Sequence, residues 1–274
     1  MSTPPAKRFN WRNLGARVAS GFVLVPAVLL AVKLGGWAIV GLAVIVAVGL
    51  AYEWALMSAA TGRKRLMTVI GLAVVIPVVV AHLDRLPLAW LLVAVGAVLA
   101  GLAAKGAVER RADAAYGVIY ITPPCIALVW LRDDPNGVAW TMLLLMTTWF
   151  ADTGAYAFGN IFKGPKLWPR FSPNKTWSGF FGGLLCGAVA AGVVWNVSNL
   201  RGLLPLSVVA GVGLLAALAT MAGDLWESVL KRRFGVKDSG DIIPGHGGIL
   251  DRVDGLMFAI IVVALARVAL GWVA

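Results

Sequence analysis

Apolar stretches of about twenty residues recur along this chain between short polar connectors, and about twenty residues is what a helix needs to cross the hydrocarbon core of a bilayer. Within that core every backbone N–H and C=O must find its partner inside the protein, so blocks of this length resolve into helices. The blocks fall at about 18–34, 36–58, 67–83, 87–104, 114–132, 137–159, 179–198, 203–230 and 255–273, which predicts nine spans. The first two are separated only by Lys33-Leu34-Gly35-Gly36, a tight turn that makes them a helical hairpin. Composition agrees: 60% of the 274 residues are hydrophobic, 14% are charged and the mean hydropathy is +0.85. A soluble domain is about half apolar and a quarter charged. The expected fold class is all-α, a polytopic integral membrane protein forming a single domain over 1–274. Its N-terminal helices would cover about 18–132 and its functional C-terminal part about 137–274. The basic start (Lys7, Arg8, Arg12, Arg17) before an apolar run has the layout of a signal peptide, but no small-residue cleavage site follows, so it reads as an uncleaved first helix.

The net charge of +11 is explained by where the charge sits. With the N-terminus in the cytoplasm, nineteen Lys and Arg fall in inside segments and four (Lys33, Arg85, Arg132, Arg201) in outside ones, with Arg267 inside the last span. Cytoplasmic loops carry such an excess, which places the N-terminus inside and the C-terminus outside. The two longest polar loops, about 160–178 and 231–254, then face the cytoplasm, where nucleotides are. The positive charge is topology with a secondary attraction to anionic lipid headgroups, and nucleic acid is not implied. Cys125 and Cys186 lie in apolar blocks without the spacing of a zinc site or a disulfide framework and read as structural thiols.

Ionisable groups within spans are costly and therefore candidates for function. Asp152 has Tyr156 four residues on, sharing a helical face. Asp224, Glu227, Ser228 and Lys231 follow i, i+3, i+4, i+7, one polar stripe on an apolar helix. Asp251 and Asp254 lie three apart at the start of the last span. Each has a plainer alternative: a snorkelling acid at 152, an internal Glu227–Lys231 ion pair, a helix cap at 251 and 254. Their gathering toward one membrane face favours a joint role. Several carboxylates there suit Mg²⁺, which takes one or two and completes its shell with water and phosphate oxygens. Between the acids runs Lys237-Asp238-Ser239-Gly240-Asp241-Ile242-Ile243-Pro244-Gly245-His246-Gly247-Gly248, whose glycines let backbone N–H groups approach an anion. Lys231, Arg232, Arg233 and Lys237 add positive charge, and Ser172-Pro173-Asn174-Lys175-Thr176 adds hydroxyls and a lysine on the same side. The residues alone point to metal-assisted phosphoryl or nucleotidyl transfer at the cytoplasmic face.

Ser228-Val-Leu-Lys231-Arg232, Lys237-Asp238, Pro244-Gly-His246-Gly247-Gly248 and Asp251-Arg252-Val-Asp254 together, over 27 residues, resemble the signature of the phosphatidate cytidylyltransferases (CDP-diacylglycerol synthases). The resemblance extends to Gly223-Asp224-Leu225, to Asp152 with Tyr156 and Gly159, to Ser172-Pro173 with Lys175-Thr176-Trp177, and to Arg17-Val-Ala-Ser-Gly. It departs at Asn174, where the family has a lysine, and at Ser178, where it has an acid. The resemblance implies a homodimeric enzyme of the inner membrane that converts CTP and phosphatidate to CDP-diacylglycerol and pyrophosphate with Mg²⁺, a second metal ion being an open alternative. It implies metal-binding roles for Asp224 and Asp251 with Asp254 and Asp152 close by, and catalytic roles for Asp224, Asp251, Lys231, Lys237 and His246. Ser172, Lys175, Thr176, Ser228, Arg232, Asp238, Gly247, Gly248, Arg252 and Tyr156 would bind substrate.

Two rivals remain to be separated. A CDP-alcohol phosphotransferase also begins its motif Asp-x-x-Asp-Gly, but here Leu256-Met257 follow and the downstream paired aspartates are missing. An ion-coupled transporter would place carboxylates at the midplane of an internal repeat, and no repeat is visible.

Overall fold

The structure, a computed structural model, describes residues 11–59, 62–104, 110–243 and 247–271, with side chains from Gly21 onward. The order of elements is α1 (Trp11–Leu34), α2 (Gly36–Ser58), α3 (Arg63–His82), α4 (Leu86–Ala103), α5 (Arg111–Asp133), α6 (Gly137–Phe162), β1 (Lys166–Trp168), β2 (Ser172–Thr176), α7 (Trp177–Val197), the single turn α8 (Leu200–Leu203), α9 (Leu206–Arg233) and α10 (Leu250–Gly271). Among the described residues each of the nine apolar blocks falls on a helix. Among the described residues seven of them, α2 to α5, α7, α9 and α10, are long and apolar enough to cross a membrane. By that measure α1, described as apolar over Gly21–Leu34, and α6 fall short. In α6 the reason is its polar content, with Thr147, Thr148, Asp152, Thr153, Tyr156 and Asn160 along it.

The protein is predominantly helical, in keeping with the all-α expectation, and carries one small hairpin. The segment after α6 folds as an antiparallel hairpin, Lys166 opposite Thr176 and Trp168 opposite Ser172. Pro165 and Pro173 disfavour helix there, and the strand ladder satisfies the backbone instead. Large apolar side chains remain exposed along the helices, among them Leu91, Val98 and Leu102 of α4 and Phe181, Leu185 and Val189 of α7. A surface of that kind suits lipid tails better than water.

Two buried clusters hold the helices together. One joins α2 to α5 around Ile39, Trp54, Ile70 and Ile121; the other joins α5, α6, α7, α9 and α10 around Leu143, Leu144, Val209 and Ile260. Trp54 is fully buried, its Nε1 donates to the Asp113 carbonyl oxygen at 2.9 Å, and Phe234 stands edge-on to it beyond the end of α9. The most extensive helix contact among the described residues is α6 with α7, where Gly179, Gly183 and Gly187 recur every fourth residue and let the backbones approach. A Cβ on Gly183 would meet Met221 Cε at 2.3 Å and the Ala151 carbonyl oxygen at 2.9 Å. Gly183→Leu is therefore expected to destabilise the protein by about 1–3 kcal/mol through overpacking. A thermal melt in detergent checks it, and an unchanged midpoint would refute this packing.

Candidate functional site

The site begins where α9 crosses α10. A Cβ on Gly223 would meet the Asp254 carbonyl oxygen at 2.5 Å, and one on Gly255 the Thr220 carbonyl oxygen at 2.7 Å. With hydrogen alone at both positions the helices touch backbone to backbone, which brings the carboxyl groups of Asp224 and Asp254 within hydrogen-bonding reach. The predicted stripe holds: Asp224, Glu227, Ser228 and Lys231 all open on one cavity of about 490 Å³, with Asp238, Asp241, Gly247, Asp251, Arg252 and Asp254 around it. A larger cavity of about 940 Å³ adjoins it, sharing Lys175, Asp224, Asp251, Arg252 and Asp254 as common wall. Its other side is formed by Asp152 and Tyr156 of α6, Lys163 and Lys166 before and on β1, and Asn174 and Thr176 of β2. Both volumes lie in the range of small-molecule sites.

Helix lengths set the depth. The apolar blocks end near 159 and 230, but α6 runs to Phe162 and α9 to Arg233. Asp152 thus lies ten residues, about 15 Å, inside the end of its helix, and Asp224 nine residues inside the end of α9. Lys175 reaches down from β2 to Asp224, Nζ to Oδ2 at 2.6 Å. The hairpin is fastened to α7 by Thr176, whose Oγ1 accepts from Gly179 N at 3.2 Å as an N-cap.

Asp251 and Glu53 anchor the loop between α9 and α10. Lys231 bridges Glu227 and Asp251 Oδ1, both at 2.7 Å. Asp251 Oδ2 accepts from Gly248 N at 3.1 Å and Ser239 N at 3.3 Å. Glu53 arrives from α2, fully buried, and accepts from Ile249 N at 2.7 Å and Leu250 N at 2.8 Å. Ser239 Oγ lies 3.1 Å from Glu53 Oε2 and 3.0 Å from Asp251 Oδ2, so one proton is shared between two carboxylates. These oxygens satisfy the first N–H groups of α10 and complement its dipole. The packing leaves no room at Gly248, where a Cβ would stand 1.9 Å from Ser239 Oγ.

Of the residues singled out in the sequence, Asp152, Tyr156, Lys175, Thr176, Asp224, Ser228, Lys231, Asp238, Gly247, Asp251, Arg252 and Asp254 line the two cavities. Gly248 acts through its amide on Asp251. Ser172, Arg232 and Lys237 line neither cavity, and His246 lies outside the described residues. Glu53 and Ser239 escaped the sequence reading. An acid inside the second apolar block, five residues from its end, is the signal that points to Glu53; nothing local distinguishes Ser239.

Among the described residues no three Asp, Glu, His or Cys side chains close around a point as a metal cage would. The donor set still fits Mg²⁺, which binds through one or two carboxylates and completes its octahedron with water and phosphate oxygens. Asp224 with Asp254 offers that pair, and Asp152 faces Asp224 across the larger cavity. The Lys175 ammonium on Asp224 marks the same place as one where a cation is favoured.

Truncating Glu53 leaves two buried N–H groups without acceptors, at about 1–3 kcal/mol each. Glu53→Ala is expected to lose about 2–4 kcal/mol of stability and to speed hydrogen exchange at Ile249 and Leu250, Glu53→Gln less. Unchanged exchange at both amides in Glu53→Ala would show that this anchor does not exist.

A buried anchor, a lysine-bridged acid pair and a carboxylate-lined cavity with a basic rim can hold a polyphosphate beside a cation. Residues 15–270 match the model of the cytidylyltransferase family. A protein of Brucella suis biovar 1 (strain 1330) named phosphatidate cytidylyltransferase is 36% identical over 260 residues, 90% of each chain. One of the same name from Brucella melitensis biotype 1 is 35% identical over 261 residues, again 90% of each. Another, from Staphylococcus saprophyticus, is 40% identical over 149 residues, 54% of this chain and 56% of its own. A match from one end of the helical array to the other, through the crossing of α9 and α10 that builds the site, means that the chain belongs to the cytidylyltransferase family.

Proposed function

We propose that this chain is a phosphatidate cytidylyltransferase, which transfers CMP from CTP to phosphatidate and releases pyrophosphate, making CDP-diacylglycerol for phospholipid biosynthesis. The observation that carries the reading is the Asp224–Asp254 pair, nine residues inside the end of α9 and one turn into α10, beside Lys175 and Arg252 in the wall shared by the two cavities. A water-soluble nucleotide and a membrane-bound phosphate can both reach a cavity near the ends of membrane helices. The names of the Brucella and Staphylococcus relatives support the same substrates.

In the reaction a phosphate oxygen of phosphatidate attacks the α-phosphorus of CTP in line, a new P–O bond forms, and the bond to the β-phosphate oxygen breaks as pyrophosphate leaves. Bound at Asp224 and Asp254, with Asp152 and Asp251 adjacent, Mg²⁺ would offset charge on the phosphates during the transfer. Lys175 and Arg252, at the wall shared by the two cavities, orient the two phosphates. Lys231 is held by Glu227 and Asp251 with its charge directed at the smaller cavity. Asp224→Asn and Asp251→Asn are each expected to lower turnover about a hundredfold or more while the protein still inserts and folds. Labelled CTP and phosphatidate with purified protein give the readout, and near-normal CDP-diacylglycerol formation by either variant would sink the assignment.

The proposal includes nine spans in the inner membrane, N-terminus inside, with the site facing the cytoplasm, and a homodimer as the family resemblance implies. Sidedness is supported by the nineteen-to-four bias of Lys and Arg. In a variant lacking Cys125 and Cys186, a cysteine at Arg201 is expected to react with an impermeant maleimide added outside intact cells, and one at Lys237 only after lysis. The opposite pattern would reverse the orientation.

A further inference from the structure

A separate polar cleft of about 400 Å³ shares no lining residue with the cavities of the site. Four helix ends build it: the last residues of α2, the first of α3, the residue preceding α5, and the end of α9. It therefore lies at the end of the bundle where α9 gives way to the loop of the site. Arg63, Arg110 and Arg233 line it, and Asp113 is the one acid among its lining residues. Asp113 is buried and pairs with Arg233. Arg63 donates Nε to the Ala59 carbonyl oxygen at 2.9 Å, which fixes its fork, and Arg110 is exposed. The cleft thus carries two more basic than acidic side chains, while Leu56, Met57 and Val236 make part of its wall apolar.

We propose that this cleft binds the phosphate-bearing headgroup of an anionic phospholipid, at a site distinct from that of the substrates. Guanidinium forks match phosphate oxygens in pairs, and basic pockets between membrane helices at the headgroup level suit such lipids. The apolar wall distinguishes a lipid from free phosphate, because it can cover the glycerol and the first methylenes of a chain. Occupancy would tie the end of α9, through Arg233, to α2, α3 and α5. The inference stands on the cleft alone and does not depend on the proposed reaction.

Native mass spectrometry of the full chain released from detergent, titrated with phosphatidylglycerol, tests it, since that lipid is neither the proposed substrate nor the product. Replacing Arg63→Gln and Arg110→Gln together leaves the Arg233–Asp113 pair intact and is expected to weaken retention about tenfold. Arg110→Gln alone, at an exposed position where folding is not at stake, is expected to weaken it about threefold. Wild-type protein should retain phosphatidylglycerol in preference to phosphatidylcholine and in the presence of millimolar inorganic phosphate. Equal retention by wild type and both variants would overturn the proposal. So would displacement of the lipid by inorganic phosphate, which would make this a site for the free anion, or equal retention of phosphatidylcholine, which would make it a groove for acyl chains.

Discussion

A helix that starts within a membrane protein exposes several N–H groups that neither lipid nor the helix itself can satisfy. In α10 that need is met by two carboxylates, one from a distant part of the chain and one from the first turn of the helix itself. Glu53 reaches Ile249 and Leu250 from α2, and Asp251 folds back on Gly248 and Ser239. Each is a negative charge at the positive end of a helix dipole, and Asp251 is further held by Lys231. The position of Asp254, one turn into α10, follows from where that helix begins. So does the position of Arg252. The contact that starts the helix therefore also sets the geometry of the cavity.

The same contact gives the first half of the chain a part in the site. On sequence alone the first five blocks look like an anchor for a functional second half. Glu53 is 196 residues from Ile249, yet it is the only group that closes the loop from below among the hydrogen bonds of the described residues. Trp54 beside it packs on Phe234 just past α9, so α2 braces both ends of the loop. Loss of the α2 contacts would release the loop without touching a cavity residue.

What was legible in the sequence is what a regular period or a bilayer dimension encodes. Among the described residues the nine apolar blocks fall on helices, seven of them long and apolar enough to cross a membrane, and the spacing of Asp224, Glu227, Ser228 and Lys231 gave a face. The Glu227–Lys231 pair, read as a plain alternative to function, is also present and is part of the cavity wall. Helix ends were less legible, because Asn160 to Phe162 and Lys231 to Arg233 are polar enough to leave the apolar run but still propagate the helix. The hairpin at Lys166 to Thr176 has too few residues for a strand period to show. Glu53 was hidden by the opposite effect: a lone acid in an apolar block has no local partner, and its partners lie beyond the reach of any periodic pattern.

The balance of charge in the site argues for a cation more strongly than the shape of any single cluster. Around the two cavities stand seven acidic side chains (Asp152, Asp224, Glu227, Asp238, Asp241, Asp251, Asp254) and five basic ones (Lys163, Lys166, Lys175, Lys231, Arg252). Lys231 is committed to Glu227 and Asp251, and Lys175 to Asp224. A nucleoside triphosphate and a phosphomonoester brought into that space add several more negative charges, in surroundings where screening by water is weak. Lysines and one arginine cannot offset both the acids and the phosphates. In the proposed reaction divalent cations bound at the acids would restore the balance and leave Lys175 and Lys231 available to the phosphates. The excess of acids would then favour a metal-bound polyphosphate over a bare one.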